Sequence, residues 1–504
     1  MDSIFSDTKL NARVFKEPNL LKVKISRTGV FLSLLFIFFI CSPHCVSAVS
    51  AENNYIKIGL RYESAAPYEC TLSSNSGFIL GTIDRYGFHE GMPLPGYNRL
   101  TISVSGRYPV IYADDVLISD DFSGNSCIMP YNYVDDGYIA YESNTYRGGF
   151  SFAVNRNSTI NIINDIDIED YLYSVLSGEM GRSSPIEALK AQAVAARSYA
   201  ICGKGTHSDY GFDLCTTSHC QVYCGRNCEY NEINKAVDET AGEILLYQGQ
   251  PVPGYYYKNS GGQTQNSEDV WNDRRGYLRS VKDSYSPDYP WYWRASFQEI
   301  RSALLSSGED PGVIRQIAIT KRNQSGYVGE IKITGSRGSV TLSKEQIRTV
   351  LGYMNVKSSN FAFDTASLAA GDNSADRNAA QRNLYVTNGD SKVKLSGNVS
   401  VISNDGNIVT VNLSELSVIS ANLKTDVGDD SSLDIDSNDS TQNDSTQTDG
   451  LIEVVTTDPV VFRGSGYGHG VGMPQDSAIA MAKQGFDYIS ILEHYFTDVE
   501  ISDY

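Results

Sequence analysis

One carboxylate stands apart from the chain's other acids. Glu179 lies in Gly178-Glu179-Met180, a short polar break inside residues 165–200, DIDIEDYLYSVLSGEMGRSSPIEALKAQAVAARSYA. A general acid must be held at a fixed place relative to the bond it protonates, and a connection clamped between two rigid elements provides that. Most loop acids are only solvated charges. What separates Glu179 from them is its frame. Ahead of it, Ile168, Tyr171, Leu172, Val175 and Leu176 recur at helical spacing over about three turns. After it, Ser184-Pro185-Ile186-Glu187 reads as a helix start, with Ser184 as cap, Pro185 in the first turn and Glu187 closing a capping box. The second helix is rich in alanine, and so many small side chains predict close packing against another backbone.

Two further patterns carry chemistry. Nine cysteines are present, and five of them crowd into residues 202–228 (Cys202, Cys215, Cys220, Cys224 and Cys228). Such crowding is a local cluster and not a disulfide framework spread over the chain. Near the other end, glycines 464, 466, 468, 470 and 472 alternate in FRGSGYGHGVGM. A dinucleotide fingerprint spaces its glycines unevenly. Alternation instead permits tight approach of the backbone to a neighbour or a ligand.

The elements that must position these residues make an α+β chain. Residues 52–164 are β-rich, with alternating runs at 55–62 and 100–105 and further strands at 110–112, 138–141, 150–154 and 160–163. The helical pair follows, then a third helix from Asn231. Strands are expected at 244–247 and 255–257, and the polar loop NSGGQTQNSEDVW ends in Trp271. More strands follow at 317–321, 328–334 and 339–342, and Ser343 opens a helix running to Leu351. Residues 165–365 form the catalytic core, and 451–504 complete it with helices at 475–482 and 488–495. Between them, 366–450 is a variable insertion. It holds short strand candidates at 384–386, 393–395, 399–402 and 408–413, and ends in the acidic linker GDDSSLDIDSNDSTQNDSTQTDG, disordered by composition.

The first 51 residues read as a signal peptide or N-terminal anchor. Lys16, Lys22, Lys24 and Arg27 precede the apolar run 30–40, and small-x-Ala sites follow at Val46-Ser47-Ala48 and Val49-Ser50-Ala51. The protein is therefore expected outside the cytoplasm or on the cell-wall side, secreted or tethered by that segment alone. A formal charge of −19 argues against nucleic acid, whose phosphates would be repelled.

Several stretches together resemble the stage II sporulation protein D (SpoIID) family of cell-wall lytic transglycosylases, which shares its domain with the amidase enhancers. They are DIDIEDYLYSVLSGEM, SSPIEALKAQAVAARSYA, TTSHCQVYCG, the NSGGQT…DVW loop, YLRSV and GSGYGHGVGM…AIAMAKQGFDYISILEHYF. The resemblance covers most of 55–365 and 451–500. It implies cleavage of peptidoglycan glycan strands in spore-development-type wall remodelling, with Glu179 as the single acid/base. Most glycosidases need two carboxyl groups. A lytic transglycosylase needs one, because the sugar's own C6 hydroxyl attacks the anomeric carbon and leaves a 1,6-anhydro-N-acetylmuramic acid end. The resemblance also implies structural zinc held by His207, Cys215, His219 and Cys220, two sulfurs and two imidazoles that suit a tetrahedral site. The competing reading of those cysteines is disulfide pairing, with Cys224–Cys228 the local pair. Ser260, Gly261, Gly262 and Thr264 look like a substrate-contact loop, joined by Gly468 and His469. His469 would either orient a sugar or hydrogen-bond within a tight loop. Tyr256-Tyr257-Lys258-Asn259 and Met473-Pro474-Gln475-Asp476 depart from the family's usual small hydroxyl-rich and Met-Ser-Gln-Tyr forms. The rival function is a non-catalytic wall-binding module that enhances a partner amidase. A zinc hydrolase built on the Cys/His set is disfavoured, since thiolate-rich sites are usually structural.

Overall fold

The computed structural model describes residues 54–364 and 453–504, together with the backbone of four short strands, Tyr385–Asn388, Ser391–Lys394, Asn398–Ile402 and Ile408–Asn412, paired as two hairpins. The segment read as signal or anchor and the acidic linker 428–450 lie outside the described residues. Among those described, no helix is long and apolar enough to cross a membrane.

Alternation of apolar residues dictates the N-terminal strands. Ile56, Ile58 and Leu60 are buried at every second position of the strand Tyr55–Arg61. That strand lies between Ile160–Asp167, antiparallel with Ile58 opposite Asn164, and the short strand Leu214–Cys215, which runs parallel to it. The full sheet has seven strands, continuing through Gly149–Val154, Ser126–Pro130, Phe78–Asp84 and Gly87–Leu94. A second sheet of six strands is built from residues 70–146. Their apolar faces enclose a core that continues without interruption into the helices.

Helix α1 (Ile168–Glu179) grows directly out of the strand Ile160–Asp167. Asp167 caps it, accepting the Glu169 amide at 2.9 Å. Helix α2 (Ile186–Cys202) follows. Its Ser184 cap is not made: Pro185 is the flanking residue and no side chain caps the helix. Glu187, expected to close the box, instead accepts the backbone amide of Tyr488 at 3.0 Å and pairs with Lys190 at 3.2 Å. A tertiary partner has outcompeted the local one. Residues 191–198 of α2 are buried without a break over more than two turns, so the helix is covered on every side. Alanine is what allows this. At Ala195 the chain of Gly254 passes so close that a Cβ on Gly254 would lie 2.5 Å from the Ala195 carbonyl oxygen.

The other wrappings of α2 are helix α3 (Asn231–Asp238), the strand Glu243–Tyr247, and the helices Gln475–Lys483 and Tyr488–Tyr495. The last strand, Val499–Asp503, closes antiparallel on Glu243–Tyr247. Within this shell Arg197 is completely buried. Its guanidinium grips Glu169 of α1 through Nε at 2.8 Å and Nη2 at 2.5 Å, and donates to the Glu243 carbonyl at 3.0 Å.

A separate core gathers residues 291–363 with Val455, Val460 and Phe462. Its sheets set Val460–Ser465 between Pro290–Ala295 and Phe361–Phe363, and Ile314–Arg322 between Val328–Gly335 and Glu453–Val455. The stretch 165–365 thus divides between two cores. The backbone amide of Phe363 donates to Glu453 at 3.1 Å, so the chain leaves and re-enters this core at one place.

Truncating one partner of a buried, hydrogen-bonded ion pair leaves the other charge stranded, at a cost of about 3–5 kcal/mol. Arg197→Ala should therefore lower the unfolding free energy by about that amount. Urea denaturation, followed by the loss of helical circular dichroism, measures it.

Candidate active site

Glu179 is the last residue of α1, not a member of the break that follows. The Met180 amide closes the helix on the Leu176 carbonyl at 2.9 Å. A carboxylate at a helix C-terminus faces the negative end of the dipole. It is also largely shielded from water, and this burial raises its pKa above the usual carboxylate range. Two donors act against that shift. Gln475 Nε2 donates to Glu179 Oε2 at 3.1 Å, and the Tyr256 hydroxyl hydrogen-bonds the same carboxyl group.

The direction of the tyrosine bond follows from its neighbours. Gln221 is buried, its Oε1 accepts from Tyr171 Oη at 3.2 Å, and its Nε2 donates to Tyr256 Oη at 3.1 Å. With a donor already on its oxygen, Tyr256 has its own proton left for Glu179. The carboxyl group is thus gripped by one amide and one phenol, brought from positions 475 and 256.

These groups open on a cleft of about 710 Å³ whose walls include Glu179, Tyr199, Tyr255, Tyr256, Tyr257, Lys258, Trp271, Asp273, Arg275, His469 and Gln475. Ser218, His219 and Cys220 complete the lining. Four tyrosines and a tryptophan thus share the walls with charged and polar side chains, so the cleft can both stack on a ligand and hydrogen-bond it. Lys258 is neutralised by Asp476 at 2.8 Å. The run Tyr256-Tyr257-Lys258, which departs from the family's usual sequence, is the part of its segment that faces the cleft.

The Gly-rich loop just after it is different from what its composition suggests. Ser260 is 0 % exposed and Thr264 1 % exposed, so neither reaches a ligand in the cleft. Ser260 Oγ donates to Asp283 at 2.5 Å, and its carbonyl accepts from Tyr327 Oη at 2.6 Å. Thr264 Oγ1 accepts the Val281 amide at 2.7 Å. Asp283 also receives Ser477 at 2.7 Å and Tyr495 at 3.1 Å. The loop is a buried clasp, with Gly261 pressed on the backbone at Ser465. The alternating glycines answer that clasp. Gly466, Gly468, Gly470 and Gly472 all have positive φ. A Cβ on Gly468 would lie 2.6 Å from Tyr257, and one on Gly472 only 2.1 Å from the Tyr255 carbonyl oxygen. Their close approach is to neighbouring protein.

His469 sits between Tyr257 and Trp271, with ring centroids at 5.2 and 5.3 Å. Its Nδ1 accepts the Val471 amide at 3.1 Å, so Nε2 carries the proton and donates to the Tyr256 carbonyl at 3.2 Å. Burial lowers its pKa to about 3, which keeps it neutral. It lines the cleft while holding the backbone of Tyr256.

The cysteine cluster divides. Cys224 and Cys228 form a disulfide, with the Cys224 amide bound to Ser174 of α1. Cys215, Cys220, His207 and His219 bring one donor atom each within 4.8 Å of all the others. Cys220 Sγ is 3.4 Å from both His207 Nε2 and His219 Nδ1, and Cys215 Sγ is 3.7 Å from His219 Nδ1. Donors on a tetrahedral zinc with ordinary bond lengths would be roughly 3.3–3.8 Å apart, so the set fits. Cys215 is anchored by its strand pairing to Gly59, and Phe212 covers Gly59, where a Cβ would lie 2.4 Å from the ring. His207 stacks on Phe212 at 5.0 Å. Burial works against ionisation of Cys215, yet hydrogen bonds from Thr217, His219 and Cys220 outweigh it and bring the thiol down to about 6. Cys220 is pushed up to about 12 by burial and by its neighbour's charge. A dication would let both ionise.

Comparison with known proteins now decides the kinship. The model of the Stage II sporulation protein family, SpoIID, matches residues 156–247, which carry α1, α2 and Glu179. By that match, residues 156–247 form a SpoIID domain. A domain of unknown function (DUF8618) matches 265–375, the region of the second core. The amidase enhancer of Bacillus subtilis is 28 % identical over 383 residues, 76 % of this chain and 47 % of its own length. An uncharacterized protein of Brachyspira hyodysenteriae is 32 % identical over 219 residues, 43 % of this chain and 58 % of its own. Stage II sporulation protein D of Bacillus subtilis is 29 % identical over 211 residues, 38 % and 59 % respectively. The chain thus spans about half to three-fifths of these relatives' lengths. Two of these relatives carry names that concern the enhancement of an amidase and sporulation.

Of the residues expected at the site, Glu179, His469, His219 and Cys220 meet at one cleft, whereas Ser260 and Thr264 are withdrawn from it. Sequence reasoning missed Tyr256, Gln221, Gln475 and Arg275. Only Trp271, closing its loop, left a visible signal. Tyr256→Phe should remove a donor that favours the carboxylate and raise the Glu179 pKa further. The alkaline limb of the activity profile should move to higher pH, as read by kcat/KM against pH.

Proposed function

We propose that this protein cleaves the glycan strands of peptidoglycan as a lytic transglycosylase, with Glu179 as its single acid and base. The observation that carries the reading is a lone, partly buried carboxyl group whose pKa is raised, set in an aromatic cleft and steadied by two donors. Protonated Glu179 gives its proton to the glycosidic oxygen as the C1–O bond breaks, leaving an oxocarbenium-like centre. The carboxylate so formed then takes the proton of the C6 hydroxyl while that oxygen bonds to C1. The proton count closes, no water is consumed, and the product ends in a 1,6-anhydro sugar. The other carboxylate of the cleft wall, Asp273, is exposed, unlike the shielded acid the first step needs.

His207, Cys215, His219 and Cys220 would hold a zinc ion that crosslinks the loop 207–220, and this loop carries directly into Gln221. When bound, the metal supplies folding energy. Through Gln221 the loop sets the Tyr256 proton toward Glu179.

The similarity to an amidase enhancer over 76 % of the chain favours a second reading, in which the protein enhances a partner cell-wall amidase. Product analysis separates the two. Purified glycan strands incubated with the full chain should yield anhydro-muramic ends by mass spectrometry, and Glu179→Gln should reduce the rate by at least about a thousandfold, in the upper part of the usual worth of an acid/base group because both steps use it. Reducing ends, or a Gln variant of undiminished rate, would overturn the assignment. The sign of the stability change is a further check. Ionised Glu179 is penalised in the fold, so Glu179→Gln should melt no lower than the unaltered protein at neutral pH. Any gain should shrink as pH falls through the raised pKa.

For the metal, elemental analysis should find about one zinc per chain. Chelation should lower the melting temperature, and Cys215→Ser should mimic it. Destabilisation by reducing agent alone, with no metal found, would overturn the zinc reading.

A further inference from the structure

Arg275 stands where the catalytic cleft meets a second cleft of about 480 Å³. Tyr199, Tyr255 and Arg275 belong to the walls of both, and the second is completed by Cys202, Thr206 and Pro253 among others. One extended ligand can therefore run past Glu179 and over Arg275.

Three other cations of this face are paired with carboxylates. Arg274 and Arg279 both pair with Glu268, and Lys258 pairs with Asp476. Arg275 differs. Among the described residues, no carboxylate lies within 4.0 Å of its guanidinium. The group is half-buried, stacked over the Tyr255 ring at 5.4 Å and hydrogen-bonded to Tyr277. Asp273, exposed on the same wall, is near enough for its charge to be felt but makes no ion pair. A planar, always-charged fork held rigid by an aromatic face, with donors left over, is the arrangement that receives a carboxylate bidentately. In a chain of net charge −19, such a cation marks where an anion is wanted.

Resting on the glycan reading above, we propose that Arg275 binds a carboxylate of the substrate, making the second cleft a saccharide subsite for an acidic sugar. In a peptidoglycan strand that carboxylate is the lactyl group on every second sugar, which is free only where no peptide is joined to it.

Calorimetric binding in the Glu179→Gln background tests this without turnover. The ligands are purified glycan strands with free lactyl carboxylates and the same strands with those carboxylates converted to methylamides. Arg275→Gln should weaken binding of the free-acid strands about ten- to a hundredfold, the worth of a charge-assisted hydrogen bond, and leave the methylamide strands unaffected. Methylamidation should cost the Arg275 protein the same factor, a comparison that needs no Arg275 variant to fold. Arg275→Lys should recover part of the affinity. Equal weakening on both ligands, or none on either, would overturn the inference while leaving the glycan reading intact. Absence of binding to both ligands by the Arg275 protein would overturn both.

Discussion

The geometry around Glu179 depends on a charge that cannot be left alone. Arg197 lies at the centre of α2, completely buried, and every route out of that burial runs through Glu169 and the backbone carbonyl oxygens of Val237 and Glu243. Because Glu169 belongs to the first turn of α1, the pair fixes the rotation and the rise of α1 against α2. Glu169 also accepts the Gly242 amide at 3.0 Å, tying in the end of the turn after α3. With its first turn fixed, α1 delivers Glu179 to one place nearly three turns further on, where the helix stops.

What was legible in the sequence follows from what is local. Helical spacing located α1, and alanine content revealed that α2 is enclosed; the Gly254 crossing at Ala195 is the backbone contact that content implied. The set His207, Cys215, His219 and Cys220 came with the family resemblance, and within one loop of fourteen residues its donor atoms do converge. Polar loops are another matter. Ser260 and Thr264 have the composition of a ligand-contact loop, but the same small hydroxyls serve equally well to satisfy a buried aspartate. The partner that decides, Asp283, is 23 residues away. Ser184 lost its capping role for the same kind of reason, since Glu187 was drawn to Tyr488, 301 residues on.

The second core and the donors on Glu179 were invisible for a further reason. Residues 291–363 carry ordinary strand patterns, and nothing in them says that Val460 and Phe462 complete their sheet across a long insertion. Gln475 and Glu179 are 296 positions apart. Both donors lie in runs that depart in part from the family's usual form, 256–259 and 473–476, although Gln475 itself keeps the family's residue.

The reach from residue 179 to residue 475 also has a meaning in time. A chain that is made from its N-terminus presents α1 and α2 hundreds of residues before the segment that completes them. Until the strand Val499–Asp503 pairs with Glu243–Tyr247 and the helix Gln475–Lys483 seats on α2, one wall of the cleft is missing and Glu179 has lost the amide of Gln475. The acid arrives early, and its steadying donor arrives last. Any chemistry that relies on the steadied Glu179 must therefore wait for the C-terminal segment, because that order of assembly is written into the connectivity of the fold.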